Sequence, residues 1–188
     1  MYIIAGAYGR QSLFTPKGGS TRPTMARLRE SLFNICQQTI EGAKFLDIFA
    51  GSGAMGFEAL SRGARTSTFI ELNKEALACI ERNMSKLNVQ SQSEILQGDA
   101  FAMLKLLERR AKKFTIVFAD PPYGTHSQQI IQWFDTHDLL ELNGRLFIED
   151  DIRNQTLESE LKNLKLISSR KMGSSILQEY QQFQLKSL

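Results

Sequence analysis

The sequence predicts an α/β fold built on a mostly parallel sheet, and three observations support this prediction. From Lys44 onward, short apolar runs rich in β-branched and aromatic residues alternate with segments of helical periodicity. Such alternation is typical of βαβ units, whose sheet is covered by helices on both faces. The first apolar run ends in a glycine-rich loop, and the last two runs follow each other without a helix between them. The closing pair therefore predicts an antiparallel β-hairpin at the C-terminal end.

The individual elements follow from apolar periodicity and from helix start signals. Thr24 is typical of a helix N-cap, and apolar side chains follow it at one-face spacing from Leu28 to Cys36. Further helices are predicted over Ala54–Leu60, Lys74–Leu87, Ala100–Arg110, Gln128–Phe134 and Thr156–Lys162. Strands are predicted over Phe45–Ala50, Thr66–Ile70, Ser93–Leu96, Phe114–Ala119, Arg145–Ile148, Leu164–Ser168 and Ile176–Phe183. Two earlier strands, Tyr2–Ala5 and Ser12–Phe14, predict an N-terminal β-hairpin, so we expect an extension over residues 1–23 and a domain over residues 24–188.

The composition is that of an ordinary globular domain. Of the 188 residues, 42% are hydrophobic and 23% charged, which excludes a disordered or low-complexity protein. Two cysteines are too few for a disulfide scaffold, and no His, Cys or Asp cluster has metal-ligand spacing, so we predict no metal. No apolar stretch approaches the ~18 residues that span a bilayer, and no signal peptide is recognisable. We therefore expect a cytoplasmic protein.

The positive charge of the chain lies at its N-terminal end. The net charge is only +3, but the first 45 residues carry six basic and two acidic residues, and the remaining 143 carry 17 basic and 18 acidic. A basic arm of this kind can contact a polyanion. The alternative, on charge alone, is a solvated basic helix face.

A nucleotide-binding signature follows the first core strand. Gly51, Gly53 and Gly56 fit the pattern G-x-G-x-x-G between a predicted strand and a predicted helix. Glycines permit a tight turn and a close approach of the backbone to a ligand. Glu71, at the tip of the second core strand, is placed to accept hydrogen bonds from ribose hydroxyls.

Two cofactor classes fit this signature, a dinucleotide and S-adenosylmethionine. In the second case there is no pyrophosphate to hold, and Asp47 is placed to bind the ammonium group of the amino-acid moiety, directly or through water. Asp99 is placed to accept a hydrogen bond from the adenine amine, with the N–H of Ala100 near a ring nitrogen; a helix N-cap is the alternative role of Asp99. The predicted cofactor contacts are Asp47, Phe49, Ala50, Gly51, Ser52, Gly53, Gly56, Glu71, Leu72, Asp99, Ala100 and Asp120.

The most discriminating motif is Asp120-Pro121-Pro122-Tyr123, at the end of the fourth core strand. Prolines fix φ and lack an N–H, so this stiff loop presents the Asp120 carboxylate and the Pro121 carbonyl as acceptors, beside an aromatic ring. An amine on a flat heterocycle fits these groups, because its N–H groups donate to both acceptors while Tyr123 stacks on the ring. Hydrogen bonds to those N–H groups favour the pyramidal amine whose lone pair can attack a methyl sulfonium. These four residues are therefore predicted to be catalytic in methyl transfer to an amine nitrogen, with a plain proline-rich loop as the alternative.

With these residues in view, the chain resembles the RsmD family. The resemblance covers nearly the whole chain and rests on Arg22-Pro-Thr24, on Arg27-Leu-Arg29-Glu30-Ser-Leu-Phe33-Asn34, on the block from Asp47 to Ala64, on Glu71 and on Asp120-Pro-Pro-Tyr123. Members of this family are bacterial methyltransferases that act on the exocyclic N2 of one guanine in small-subunit (16S) ribosomal RNA. The resemblance implies a Rossmann-like, class I methyltransferase sheet of seven strands with an N-terminal β-hairpin extension, and S-adenosyl-L-methionine as cofactor.

The resemblance also implies an RNA partner. It places the N-terminal arm against 16S ribosomal RNA in an assembled or partly assembled 30S subunit, with ribosomal proteins as candidate parts of the substrate, and we expect a monomer. Ala26 stands where the family often has Asp, and the tail from Lys171 onward fits the family only loosely. The predicted RNA contacts are Arg10, Lys17, Arg22, Thr24, Arg27 and Arg29.

Two other functions stay open at this point. DNA adenine-N6 methyltransferases carry tetrapeptides similar to residues 120–123, although 188 residues leave little protein to recognise a DNA site. A non-catalytic RNA-binding assembly factor with the same fold is the alternative from another class. The intact glycine loop, Glu71 and Asp120 argue against it.

Overall fold

The described part of the chain forms a seven-stranded sheet with α-helices on both faces. This computed structural model describes residues 1–16, 23–122, 126–153 and 160–183, with the backbone alone at 23–25. The strands are β1 (Lys44–Ile48), β2 (Thr66–Glu71), β3 (Ser93–Gln97), β4 (Phe114–Ala119), β5 (Leu140–Asp151), β6 (Leu164–Met172) and β7 (Ser175–Gln182). The helices are α1 (Pro23–Ile35), α2 (Ala54–Ser61), α3 (Lys74–Leu87), α4 (Ala100–Arg109) and α5 (His126–Thr136), with a short 3-10 helix at Gln90–Gln92.

The strand order is β3-β2-β1-β4-β5-β7-β6. Strands β1 to β5 are parallel to one another, whereas β7 is antiparallel to both β5 and β6. The predicted α/β fold, its mostly parallel sheet and its C-terminal hairpin are thus confirmed. The order reverses between β1 and β4, and ligands of open sheets bind at such a switch point, beyond the carboxyl ends of the strands. We call the side on which β1 to β5 end the carboxyl end of the sheet.

Helices bury both faces of the sheet because β1 is apolar on both sides. Phe45 packs in one cluster with Leu32 of α1, and the adjacent Leu46 packs in another with Leu104 of α4. All four side chains are fully buried. Burying such side chains contributes roughly 1.5–3 kcal/mol each, so the strand that carries the glycine loop is held from two directions.

The N-terminal segment (residues 1–14) packs against α2 and α3. Tyr2 and Ser12 form one isolated antiparallel bridge. Ile3 and Leu13 are buried in the cluster that contains Ile80 of α3. The N-terminal hairpin is therefore present, but it is held mainly by the helices beneath it.

Both strands of this hairpin are shorter than predicted. The reason is that the Glu58 side chain, and not a partner strand, accepts the hydrogen bonds of this backbone. The backbone N–H groups of Ile4 and Ala5 donate to the Glu58 carboxylate, at 2.7 and 3.1 Å. Gly6 follows with φ +84°, and a Cβ there would lie 1.8 Å from the carbonyl oxygen of Ser61. The chain thus turns onto the C-terminal end of α2, where only glycine fits.

The predicted helix at Thr156–Lys162 falls partly outside the described residues, which omit 154–159. The described remainder, residues 160–162, is not helical, so the prediction is wrong there. The reason is a buried acceptor: the backbone N–H groups of residues 162–164 donate to the Asp135 carboxylate at 2.7 to 3.0 Å. A helix cannot use the same N–H groups.

The boundaries of other helices and strands differ from the predicted ones by smaller amounts. Helix α1 begins at Pro23, so Thr24 lies in its first turn rather than at the N-cap. Strand β5 extends beyond the predicted Arg145–Ile148, because pairing with β7 continues to Asp151. Within the described residues, no helix is long and apolar enough to cross a membrane.

Candidate active site

The glycine-rich loop joins β1 to α2 at the carboxyl end of the sheet. Phe49, Gly51 and Gly53 adopt positive φ values of 61°, 56° and 77°. Such a value is uncommon for a residue other than glycine, and at Phe49 it marks a constrained backbone. A Cβ on Gly56 would lie 2.3 Å from the Phe69 ring, so this glycine lets α2 approach β2 closely. The loop therefore has the tight turn and the close packing that the motif predicts.

Asp47 lies beneath this loop as a fully buried acid. Its Oδ2 accepts a hydrogen bond from the N–H of Gly56 at 3.0 Å. Its Oδ1 has no hydrogen-bond partner among the described residues. Burial raises the pKa of Asp47 well above its usual value; the Gly56 hydrogen bond opposes this, and the charges of Asp120 and Glu71 add to it. A buried acid that lacks a counter-charge suits a cationic ligand group.

Glu71 binds the glycine loop to the end of β2. Its Oε2 accepts a hydrogen bond from the N–H of Gly51 at 2.7 Å, and its Oε1 accepts from Leu72 and Asn73, both at 2.8 Å. The carboxylate is thus fixed at the tip of β2, where the sequence places it. Its predicted hydrogen bonds to ribose hydroxyls stay a prediction.

A cavity of about 410 Å³ opens beside Glu71, a size typical of small-molecule sites. Asp99 at its wall caps α4 by accepting from the N–H of Ala102 at 3.0 Å, so the predicted capping role is confirmed. A cavity of about 450 Å³ at the opposite end of the sheet contains none of the predicted residues. The smaller cavity brings together Phe49, Glu71, Leu72, Asp99, Ala100 and Pro122.

Ser52, inside the glycine loop, is held by a hydrogen bond from helix α3. Its carbonyl accepts a hydrogen bond from the Nδ2 of Asn83 on α3 at 3.0 Å. The same amide pairs with the backbone of Phe14, accepting from its N–H at 2.8 Å and donating to its carbonyl at 3.0 Å. Asn83 thus joins the N-terminal segment to the cofactor loop. Sequence reasoning missed it, although an Asn within an otherwise apolar helix face is a usable signal.

Asp120 follows β4 at the carboxyl end of the sheet, beside acids on β5. Burial raises the pKa of Asp120 to about 7, and the charges of Glu149 and Asp150 contribute. Glu149 is itself buried, and sequence reasoning did not select it. The signal was the run of three acids, Glu149-Asp150-Asp151, that directly follows the apolar residues Leu146–Ile148. Of the other predicted catalytic residues, Pro122 lines the cavity, and Tyr123 lies outside the described residues.

The predicted RNA contacts fall into exposed residues, a buried residue and residues that the structure does not describe. Arg10 and Arg27 are exposed. Arg10 lies in the turn that packs at the C-terminal end of α2, where the N–H of Ala7 donates to Ser61 at 2.7 Å. Lys17 and Arg22 lie outside the described residues, and the side chain of Thr24 is not described.

Arg29 is buried, and its predicted contact with RNA is wrong. Its guanidinium donates to the carbonyl of Tyr2 at 2.6 Å and lies 3.5 Å from the Glu58 carboxylate. Arg62 donates to the other oxygen of Glu58 at 2.7 Å. Arg29 and Arg62 thus hold the buried Glu58 beneath the N-terminal segment. Sequence reasoning missed this because the partners Tyr2 and Glu58 lie 27 and 29 residues from Arg29 in the sequence.

Comparison with known proteins identifies the family. The family model described as conserved hypothetical protein 95 matches residues 1–181. This chain belongs to that family. The ribosomal RNA small subunit methyltransferase D of Haemophilus influenzae is 32% identical over 181 residues, covering 95% of this chain and 92% of that protein. The Escherichia coli K12 protein of the same name is 35% identical over 161 residues, covering 86% and 75%.

Solved structures agree with the family assignment. The structure of yhhF from Escherichia coli has a TM-score of 0.84 at 29% identity, covering 97% of this chain and 98% of that one. The resemblance to the RsmD family and the Rossmann-like methyltransferase fold are therefore confirmed. None of these comparisons tests the individual site residues.

Proposed function

We propose that this protein transfers a methyl group from S-adenosyl-L-methionine to the exocyclic N2 of a guanine in small-subunit ribosomal RNA. The placement of Asp120 is the observation that carries this proposal. Its charge acts on Asp47 beneath the glycine loop, and Pro122, two residues after it, lines the cavity with Phe49 and Asp99. An amine held by Asp120 therefore lies next to a small molecule bound in that cavity.

The residues around the cavity fit this cofactor. The unpartnered Oδ1 of Asp47 suits the ammonium group, and Glu71 suits the ribose hydroxyls. Asp99 uses one oxygen to cap α4, which leaves the other for the adenine amine. When bound, the cofactor supplies a methyl group on a positively charged sulfur.

The protein contributes mainly positioning and electrostatics. In the ionised state, the Asp120 carboxylate accepts hydrogen bonds from the guanine amine, together with the Pro121 carbonyl, and this frees the nitrogen lone pair for attack in line with the methyl group. Asp120 then accepts the proton that the methylated nitrogen loses. Tyr123, which follows these residues, is proposed to stack on the base. Because Asp120 is half-buried at the carboxyl end of the sheet, the guanine must be unstacked to reach it.

The exposed basic residues are proposed to contact the RNA backbone. Arg10 and Arg27 are the described members of this set, and we retain Lys17, Arg22 and Thr24 with them. The division into an RNA-facing extension over residues 1–23 and a catalytic domain over 24–188 is part of the same proposal, as are a cytoplasmic site of action and ribosomal proteins as part of the substrate. The relatives named as small subunit methyltransferases support an RNA substrate.

Methylation of purified small subunits tests the proposal. The protein is incubated with labelled S-adenosylmethionine and 30S subunits that lack the modification, and the labelled nucleotide is mapped. We expect label on one guanine N2 with the wild-type protein and at least 100-fold slower labelling, ~10²- to 10⁴-fold, with the variant Asp120→Ala. Label on an adenine, or on DNA alone, would overturn the guanine assignment. Absence of cofactor binding in calorimetry at millimolar concentration would favour a non-catalytic assembly factor instead.

A further inference from the structure

The outward face of the N-terminal segment carries exposed aromatic side chains. Tyr2 and Ser12 are bridge partners, so their side chains project from the same side of the hairpin. Leu13 is buried beneath the segment, and the alternation of an extended chain therefore turns Ser12 and Phe14 outward. Tyr2 is 65% exposed and Phe14 is 37% exposed. Two aromatic rings thus lie on one outer face of the molecule.

Arg82 and Lys86 of α3, both exposed, contact this face. The guanidinium carbon of Arg82 lies 3.8 Å from the centroid of the Phe14 ring, and the Nζ of Lys86 lies 5.5 Å from it. Lys86 also donates to the carbonyl and the hydroxyl oxygen of Ser12, at 2.6 and 2.7 Å. All of these partners are neutral groups. The contacts therefore hold the two side chains in place without cancelling their charges.

The charges of these two α3 side chains are not balanced by acids. Within the described part of the chain, neither forms an ion pair, and this includes the acids of α3 itself, Glu75 and Glu81. Residues 17–22, which follow the segment in the sequence, contain two basic residues and no acid. Arg10, in the turn of the same hairpin, is exposed as well. The face is therefore positive and complementary to a polyanion.

This positive face adjoins the glycine loop. The Sδ of Met1 lies 3.9 Å from the Oγ of Ser52 in that loop. Asn83 of α3 donates to the carbonyl of Ser52 and to that of Phe14, at 3.0 Å in both cases. Met1 and Asn83 are sequence neighbours of the exposed residues that form the face. A nucleic acid strand whose target base enters the site at the carboxyl end of the sheet can therefore continue across this face.

We propose that this face binds single-stranded RNA next to the target guanine, with Arg82 and Lys86 on phosphates and the Tyr2 ring stacked on an unpaired base. The inference rests on the proposed function for the identity of the RNA. One helical turn separates the two cations by about 6 Å along α3, and phosphates advance about 3.4 Å along each strand of a duplex, so the two cations span about two nucleotides.

The exposed ring favours a single strand over a duplex. Bases within a duplex stack on one another and offer no free face to a side chain, whereas an unpaired base stacks on an aromatic ring. A positive surface combined with such a ring is the general arrangement by which proteins bind single strands. The target guanine must itself leave its stack, which is easiest where its neighbours are unpaired.

Binding to 30S subunits that lack the modification, measured at several salt concentrations, tests the two cations. Arg82→Gln and Lys86→Gln should each weaken binding a few-fold and reduce the slope of log affinity against log salt by about 0.7, whereas Arg82→Lys should keep the slope. Lys105→Gln is the matched control and should also keep it, because Lys105 is exposed on α4, on the opposite face of the sheet. Wild-type slopes in both glutamine variants, or an equal loss in Arg82→Lys, would overturn the inference.

The same measurement tests the stacking of Tyr2. Tyr2→Ala should weaken binding by about 5- to 100-fold with an unchanged salt slope, because the lost contact is uncharged, and Tyr2→Phe should bind like the wild type. An unchanged affinity in Tyr2→Ala would overturn the stacking.

Calorimetry with S-adenosylmethionine separates RNA contact from a structural role. A variant whose N-terminal segment no longer docks loses the support of Ser52, so its cofactor affinity should fall together with its RNA affinity. We expect cofactor affinity to stay unchanged in all of these variants, and a parallel fall would overturn the inference. A wild type that binds 30S subunits with the expected slopes but transfers no methyl group would reject the proposed function and leave this inference in force. A wild type that binds duplex DNA and not 30S subunits would overturn it.

Discussion

Two groups of buried acids in this protein are treated in opposite ways. Beneath the N-terminal segment, the Glu58 carboxylate is fully buried and accepts hydrogen bonds from two backbone N–H groups and from Arg62, with Arg29 close by. At the carboxyl end of the sheet, Glu149 is buried and Asp120 half-buried, and neither has a basic partner among the described residues. The charge of Glu58 is balanced by the donors and basic groups around it, whereas the charges of Asp120 and Glu149 are not balanced in this way.

The difference separates a structural role from a chemical one. A buried charge that only supports the fold is stable when its partners are fixed, as around Glu58. A buried acid without such partners has a raised pKa. A ligand group that carries a complementary charge or hydrogen-bond donors can then pair with it. The same rule applies to the basic residue Arg29. Its guanidinium is hydrogen-bonded within the fold and therefore does not contact RNA.

The largest expected effect is on turnover and comes from a substitution of Asp120, in the group of acids without basic partners. Asp120→Ala should lower kcat by about 10²- to 10⁴-fold, because the variant can neither orient the amine nor accept its proton. Cofactor affinity should stay within a few-fold, since Asp120 is next to the cavity rather than within its wall. Single-turnover methylation and calorimetry measure the two quantities. A variant that retains most of its activity would mean that the amine is held elsewhere.

A smaller effect, on stability rather than on turnover, is expected in the compensated group. Glu58→Gln should reduce the free energy of unfolding by about 3–5 kcal/mol, because it leaves Arg29 and Arg62 facing each other in a buried site. Glu149→Gln, the same substitution in the other group, should be neutral or stabilising, because it removes a charge that no described basic group offsets. Urea denaturation of both variants compares them. Equal losses of stability would contradict the division drawn above.

The smallest effect is expected at exposed basic residues. Arg10→Gln and Arg27→Gln should each weaken binding to the RNA substrate a few-fold and reduce the slope of log affinity against log salt by about 0.7. Lys165→Gln is the matched control, since Lys165 is exposed on β6, the edge strand farthest from β3, β2 and β1 in the sheet. Filter binding at several salt concentrations gives the slopes. Identical slopes in all three variants and the wild type would remove these arginines from the interface.

The sequence predicts best what depends on neighbouring residues. The glycine loop, Glu71 and Asp120 each follow directly on a strand, so the position of the strand fixes the position of the side chain. Arg29 was misassigned because its partner Glu58 comes from another helix, and no local pattern reveals that contact. Glu149 was missed for a similar reason. Its neighbour Asp120 lies on an adjacent strand, and only the register of the sheet brings the two together.

The contacts of the N-terminal segment also set an order of events during synthesis. Phe14 pairs with Asn83, 69 residues later, and Ile4 pairs with Glu58, 54 residues later. Contacts so distant in sequence form slowly, because a long loop must close first. Residues 1–14 thus lack part of their docking site until α3 has been made. The same Asn83 side chain also holds the glycine loop through the Ser52 carbonyl, so the late docking of this segment and the support of that loop share one side chain.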